Sequence, residues 1–464
     1  MFQRLKKQQS EHLLALIREG KPMTLGQRLH LTACLSFPAI VAQLSSIAMQ
    51  YIDASMVGQL GANPAAAIGL VSTTTWLFWG LCAAVSSGFS VQVAHLIGAQ
   101  DYTGVRRVLR QSLTATSIFS SLLALLGIGI SDMLPVWLGG DEAIHSDASI
   151  YFLIFSLALP FLQMTFLAGG MLRCSGNMHV PSILGVLMCV LDVVFNFICI
   201  FVCHLGVLGA AIGTAMAEII TGLLLMVYLF RRSPILGLQG DEGCFLPAKA
   251  TIRKAIHISL PMGFEHLAIC GAQIATTLIV APLGVVAIAA NSFAVIAESL
   301  CYMPGYGISE AATTLVGQSL GAGRPRLMRS FAHITVGAGM LIMGVMGVLM
   351  YIFAPQIIGL MSPVEEIRSL GIEILRIEAF AEPMFAASIV AYGVFVGAGS
   401  TLVPSLMNFG SIWGVRLTLA LLLAPVYGLK GVWIAMCVEL CFRGVIFLIR
   451  LRWGGWAGKT ILKQ

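Results

Sequence analysis

The chain has 464 residues, 58% of them hydrophobic and only 10% charged, with a mean hydropathy of +0.91. No water-soluble domain of this size could carry that composition on its surface, so the sequence describes a polytopic membrane protein. The net charge of +6 indicates no nucleic-acid partner, because the placement of the basic residues around the apolar runs accounts for it.

Residues 1–30 come first, and their stretch "QRLKKQQSEHLLALIREGKP" is charged and amphipathic without a small-residue cleavage site. That pattern predicts a cytoplasmic interfacial helix, not a signal peptide. Apolar runs of about 20 residues then predict transmembrane helices. Twelve are expected, near 31–56, 66–92, 111–136, 149–172, 182–203, 207–230, 256–281, 288–316, 331–359, 370–396, 403–426 and 430–450. Continuous helical periodicity and frequent Gly, without ten-residue alternating segments, exclude a barrel. The expected fold class is all-α.

Residues 31–230 form a first six-helix bundle and 255–452 a second, joined by a cytoplasmic linker, 231–254, that carries Pro234, Gly237, Gly240 and Gly243. A cytoplasmic tail, 453–464, ends the chain. Arg4, Lys6, Lys7, Arg18, Lys21 and Arg28 precede the first span, and Arg106, Arg107 and Arg110 follow the second. Arg173, the linker-flanking Arg231, Arg232, Lys249, Arg253 and Lys254, then Arg324, Arg326 and Arg329, and finally Arg450, Arg452, Lys459 and Lys463 fall on the same side. The opposite loops are poor in Lys and Arg; "SDMLPVWLGGDEAIHSD" has neither. Both termini are therefore expected in the cytoplasm of a protein of the bacterial inner (plasma) membrane.

A shift of 223 residues lays the second half over the first. Pro38 falls on Pro261, Gln50 on Gln273, Gly61 on Gly284, Gly98 on Gly321, Pro160 on Pro383 and Gly176 on Gly399. Because each half holds an even number of spans, the copies share one membrane orientation and are related by an axis along the membrane normal. Such parallel bundles suit alternating access.

Eight acids lie in or near the spans: Asp53, Asp192, Glu218, Glu265, Glu298, Glu310, Glu382 and Glu439. A carboxylate at mid-bilayer depth costs roughly 2.5 to 3.5 kcal/mol on insertion scales, so each needs a partner or a task. Glu439 has Arg443 four residues on and reads as a structural pair. Asp192 and Asn196 are also four apart and share one helix face, where their oxygens suit a proton or a hard cation such as sodium. Asp53 and Thr214 occupy the first and sixth spans, and the first, fifth and sixth spans contain no basic residue to neutralise the aspartates. The acids break the repeat, since Asp53 falls on Thr276, Asp192 on Val415 and Glu265 on Ala42. Eleven cysteines show no zinc or redox spacing and read as small packing residues, and His95 and His266 form no metal pair.

The ordered stretches "YIDASMVGQLG", "VAHLIGAQD", "LRCSGNMHVPS", "LDVVFNF" and "LGVLGAAIGTA", with "LVGQSLGAG" and "VGAGSTLVPS" in the second half, resemble the multidrug and toxic compound extrusion (MATE) transporters over nearly all of the chain after residue 30. The resemblance implies export of small organic compounds, often cationic, driven by inward flow of Na+ or H+, with no other cofactor. It places a cation-coupling site, holding H+ or Na+, on Asp53, Asp192, Asn196 and Thr214. Many members have Asn then Asp on the fifth span, whereas this chain has Asp192 then Asn196. Glu265 matches the acid of the seventh span, and with Glu298 and Glu382 it makes a second candidate cation or substrate site. Ser400 beside Thr401 stands where many members carry an acid, which weakens that second site. A lipid or lipid-linked sugar flippase is the alternative, although the spans offer few cations for phosphate beyond Arg416 and Arg443. No HExxH, nucleophile elbow or phosphate loop indicates an enzyme. The expected partners are small-molecule substrates and membrane lipid, and the expected state is a monomer.

Overall fold

The computed structural model describes residues 2–238 and 243–456, with side chains from residue 9 onward. Gly240 of the linker, Lys459 and Lys463 of the tail, and the side chains of Arg4, Lys6 and Lys7 lie outside the described residues. The described chain is all helix, with no strand. In order it comprises α1 (Phe2–Arg18), α2 (Leu25–Gln59), α3 (Ala62–Gly98), α4 (Tyr102–Ile130), α5 (Leu134–Trp137), α6 (Glu142–Cys174), α7 (His179–Phe197), α8 (Gly206–Arg231), α9 (Lys249–Val280), α10 (Val285–Gly321), α11 (Pro325–Met361), α12 (Glu365–Glu378), α13 (Glu382–Gly397), α14 (Leu402–Ser411), α15 (Leu417–Tyr427) and α16 (Leu429–Trp453). A π turn, Ile198–Val202, extends α7, and another, Ile412–Arg416, joins α14 to α15. Among the described residues, eleven helices are long and apolar enough to cross a membrane, and the count is twelve if the bent pair α12 and α13 is one span.

Most helices outrun the predicted spans; α3, α10 and α11 each run 37 residues. Hydropathy marks only the part that needs an apolar solvent, whereas backbone hydrogen bonding carries the helix beyond it. Two expectations need correction. The third span, expected to reach residue 136, stops at Ile130. Pro135 follows, lacks an N–H and restricts the residue before it, so only the short turn Leu134–Trp137 forms there. The tenth span is not one straight helix, because α12 and α13 meet at a 57° bend. Pro383 sits in the first turn of α13, where its missing donor costs nothing but continuation from α12 is blocked.

Contacts divide the chain into two compact units, residues 45–263 and residues 1–44 with 264–464. The core of the first unit contains Phe78, Phe152, Leu159 and Leu162. In the other, Ala287, Ala290, Ala294 and Ala297 form a narrow face of α10 that admits Trp433 and Leu375. The amphipathic pattern of α1 does produce a helix. It buries Leu13, Leu14, Leu16 and Ile17, and its C-terminal carbonyl at Leu16 accepts from Arg324 Nη1 at 3.0 Å while Arg18 Nε donates to Gln318 at 3.2 Å. The repeat is visible in the backbone too. Gly61 and Gly284, 223 apart, precede α3 and α10 with φ of 117° and 99°, a region that favours glycine.

Candidate functional site

Within the 45–263 unit, α2, α7 and α8 bring Asp53, Asp192, Asn196 and Thr214 together. Asn196 is the hub. Its Nδ2 lies 3.0 Å from Asp53 Oδ1, 3.2 Å from Asp192 Oδ2 and 3.3 Å from Thr214 Oγ1. An amide nitrogen has two hydrogens, so three acceptors compete for two donors. Asp53 and Asp192 also lie within hydrogen-bond reach of each other. Asp192 is 0% exposed, and its Oδ1 and the Oδ1 of Asn196 have no hydrogen-bond partner. No Lys, Arg or His donates to either aspartate among the described residues. Tyr151, Cys189 and Glu218 are further titratable groups in electrostatic range.

The close approach has a local cause in the sequence. Gly209 and Gly213, four apart on α8, face α7 so tightly that a Cβ at Gly209 would lie 2.8 Å from the carbonyl of Cys199, and one at Gly213 would lie 2.8 Å from the backbone nitrogen of Asn196. Small residues at this spacing let two helix backbones touch, and Thr214 is thereby carried to Asn196. The π turn begins two residues after Asn196, so α7 changes its winding beside the cluster. An open groove of about 750 Å³ is lined by Tyr51, Ile52, Ser55, Gln59, Val193 and Phe197 among others, chain neighbours of the cluster residues but not those residues themselves.

The other unit separates the second set of acids. Glu265 has a partner on each oxygen: Ser405 Oγ donates to Oε2 at 2.9 Å and Asn408 Nδ2 to Oε1 at 2.5 Å. Glu298 and Glu382 instead keep company with Glu378, all three being buried. Glu310 lies 3.5 Å from Gln43 Nε2. The pairing of Glu439 with Arg443 is present, with Nε 2.8 Å from Oε1 and Nη2 3.0 Å from Oε2. It is not self-contained, however. Arg416 donates to Oε2 from Nε at 3.0 Å and Nη2 at 2.7 Å, and Ser411 Oγ donates to Oε1 at 2.5 Å. Glu378 is absent from the acids singled out in the sequence, although its position four residues before Glu382 is a readable signal. Arg416 carries no such signal, since 23 residues separate it from Glu439.

Comparison with known proteins returns one family model, MatE, matching residues 38–198 and 261–422. The two stretches begin at Pro38 and Pro261, the same 223-residue offset as the internal repeat. The chain is 25% identical to the probable multidrug resistance protein NorM of Thermotoga maritima over 93% of each chain. It is 27% identical to the NorM of Pseudomonas aeruginosa over 90% of this chain and 88% of the relative. Its fold is similar to an outward-facing multidrug resistance MATE family transporter of the MOP superfamily, with a TM-score of 0.87 at 20% identity, covering 93% of this chain and 98% of that one. It is also similar to a MOP superfamily transporter from Pyrococcus furiosus, with a TM-score of 0.86 at 21% identity and the same coverage. The model match spans more than half of the sequence and both copies of its repeat, and the chain therefore belongs to the MatE family.

Proposed function

We propose that the protein is a secondary active multidrug efflux transporter, exporting organic and often cationic compounds by antiport with Na+ or H+ through alternating access. One observation carries the coupling part: Asp192 and Asn196 are buried, with two oxygens lacking donors, beside Asp53 and, among the described residues, with no cationic side chain bonded to them. Two carboxyl groups in hydrogen-bond reach cannot both ionise in a poorly solvated place unless a proton or a metal cation joins them. A carrier uses this condition by changing state only when the site is filled or empty. In this reading Asp53, Asp192, Asn196 and Thr214 hold the coupling ion. Sodium would find oxygen ligands there, as a hard cation requires. Of the second expected set, Glu265 stands apart with Ser405 and Asn408, and Glu298 and Glu382 are the remaining candidates for a second cation or substrate site. Both termini are assigned to the cytoplasm.

The flippase reading is weaker, because a phosphate-bearing substrate needs free cations in the spans. Arg416 and Arg443 are both engaged by Glu439. The test is flux in proteoliposomes with Na+ and H+ gradients imposed separately. Ethidium efflux is expected under at least one gradient, and Asp192→Asn is expected to abolish it while leaving the protein monodisperse in detergent. Undiminished efflux by Asp192→Asn would remove the aspartate site from coupling, and absence of wild-type flux under both gradients would sink the antiport reading.

A further inference from the structure

The turn from α1 into α2 meets the start of α11 within the 1–44 and 264–464 unit, and three arginines surround the meeting point. Thr24 and Gln27 fix the start of α2 reciprocally: the Thr24 N–H donates to Gln27 Oε1 at 2.9 Å and the Gln27 N–H to Thr24 Oγ1 at 3.3 Å. Arg28, in the first turn of α2, folds back onto the carbonyl of Met23, to which Nε donates at 3.1 Å and Nη2 at 2.7 Å. Its Nη1 reaches across to Ser330 Oγ of α11 at 2.9 Å. Arg324 and Arg326 flank Pro325, the first residue of α11. With Pro22, Met23, Pro325 and Leu327, the three arginines line a basin of about 470 Å³, a size within the roughly 300 to 1,000 Å³ of small-ligand sites.

This charge is not balanced by the protein. Nε, Nη1 and Nη2 of Arg28 each donate once, which leaves a second N–H on both terminal nitrogens. Arg324 gives only Nη1, to the carbonyls of Leu16 at 3.0 Å and Ile17 at 3.5 Å. Arg326 is exposed and holds no other side chain among the described residues. No acid lines the basin, and Glu19, close by in the chain, is held by Lys21 at 2.6 Å. Membrane orientation alone would explain arginines on this side, but the internal repeat separates the two causes. Arg329 has its counterpart in Arg106, as orientation requires, whereas Arg28, Arg324 and Arg326 fall on Thr251, Asp101 and Thr103. Asp101 instead caps α4, accepting from the Gly104 N–H at 2.9 Å. The three arginines are thus carried by one copy only. Beside them, Leu25 and Leu29 are 62% and 49% exposed, and Phe37 and Val41 continue the uncovered apolar stripe along α2 on the same four-residue spacing.

We propose that this basin binds the phosphate of an anionic phospholipid, with an acyl chain lying along the stripe of Leu25, Leu29, Phe37 and Val41. Guanidinium groups present donors in a planar fork that matches phosphate oxygens, and their charge needs an anion that the protein does not supply. A basic pocket beside membrane helices on the face proposed as cytoplasmic is suited to such a headgroup. A free phosphate would satisfy the arginines but leave the apolar stripe uncovered, so the lipid accounts for both features. The bound headgroup would strengthen the contact among the end of α1, the start of α2 and the start of α11, which Arg28 and Arg324 already join. No residue of the aspartate site takes part, so the proposal stands apart from the coupling reading.

The test titrates phosphatidylglycerol into the full-length protein in detergent micelles and follows the thermal unfolding temperature, which a ligand of the folded state raises by mass action. Saturable stabilisation is expected in the wild type, with none from phosphatidylcholine or from inorganic phosphate at the same concentration. Arg326→Gln is expected to raise the half-saturating lipid fraction about tenfold or more, the effect of losing one charge-assisted contact. Because Arg326 holds no other part of the protein, this variant tests the site without disturbing the fold. Arg232→Gln, an exposed arginine of the other unit on the same proposed face, should titrate as the wild type does. Equal shifts in Arg326→Gln and Arg232→Gln would overturn the site in favour of diffuse surface attraction. Stabilisation by inorganic phosphate to the same extent would overturn the lipid assignment, and an unshifted titration in both Arg326→Gln and Arg28→Gln would remove the basin as a binding site. No flux is measured, so the outcome is independent of whether the antiport reading holds.

Discussion

At the scale of single residues, the contrast between Asp192 and Glu439 shows how burial and partners divide chemistry from architecture. Both are 0% exposed. Glu439 receives a hydrogen bond or ion pair from Ser411, Arg416 and Arg443, so its charge is surrounded by donors. Asp192 has no cationic partner among the described residues, shares the amide of Asn196 at Oδ2, and its Oδ1 has no hydrogen-bond partner. Removing the charge at Glu439 strands two guanidinium groups, and breaking a buried pair in this way costs about 3 to 5 kcal/mol. Glu439→Gln should therefore lower the thermal unfolding temperature in detergent strongly. Arg416→Ala and Arg443→Ala should be non-additive in a double-mutant cycle, because they share one carboxylate. Additive effects would sink the three-membered arrangement, and lost efflux at unchanged stability would move it into the mechanism.

At the scale of elements, glycine spacing decides which helices can touch. Gly209 and Gly213 put α8 against α7, and Gly347 puts α11 against the break between α12 and α13. A methyl group at Gly213 has no room beside the backbone of Asn196. Gly213→Ala should push α8 away from α7, at an overpacking cost of about 1 to 3 kcal/mol. Because Thr214 moves with it, efflux should fall more than that loss of stability explains. The measurement pairs thermal stability with flux for Gly213→Ala and, as a control on the same helix, Gly222→Ala, which meets Thr165 and Phe161 away from the cluster. Equal losses in both variants would show that the helix contact, and not the position of Thr214, matters.

At the scale of the whole molecule, the parity of the spans has a measurable consequence. Eleven crossings would put the termini on opposite faces, whereas twelve, with α12 and α13 as one bent span, put them on the same face. Cys203 and Cys244 are both exposed and fall on opposite sides of the predicted topology. In single-cysteine variants of intact cells, a membrane-impermeant maleimide should label Cys203 and spare Cys244, and inverted vesicles should reverse this. A tag appended to the C-terminus should share the protection of Cys244. Labelling of Cys244 from outside would reverse the orientation, and a tag exposed opposite to Cys244 would require an odd number of crossings.

The sequence by itself determined the membrane character, the apolar spans, the internal repeat and the shared helix face of Asp192 and Asn196, whereas Asp53 and Thr214 joined them only through the family resemblance. Composition and the spacing of residues a few positions apart on one helix express such features directly. The break at Glu378 was partly legible, through Pro383 and the four-residue spacing to Glu382. Only the tertiary structure decided that Asn196 is the shared donor of the aspartate cluster, that Glu439 answers to Arg416 as well as Arg443, and that Glu298 and Glu382 gather with Glu378 instead of with Glu265. Those partners come from different helices, 18 to 143 residues apart where hydrogen bonds join them. Which helix faces meet is set by rotation and by close backbone approach at glycines, quantities that no single helix carries in its own periodicity.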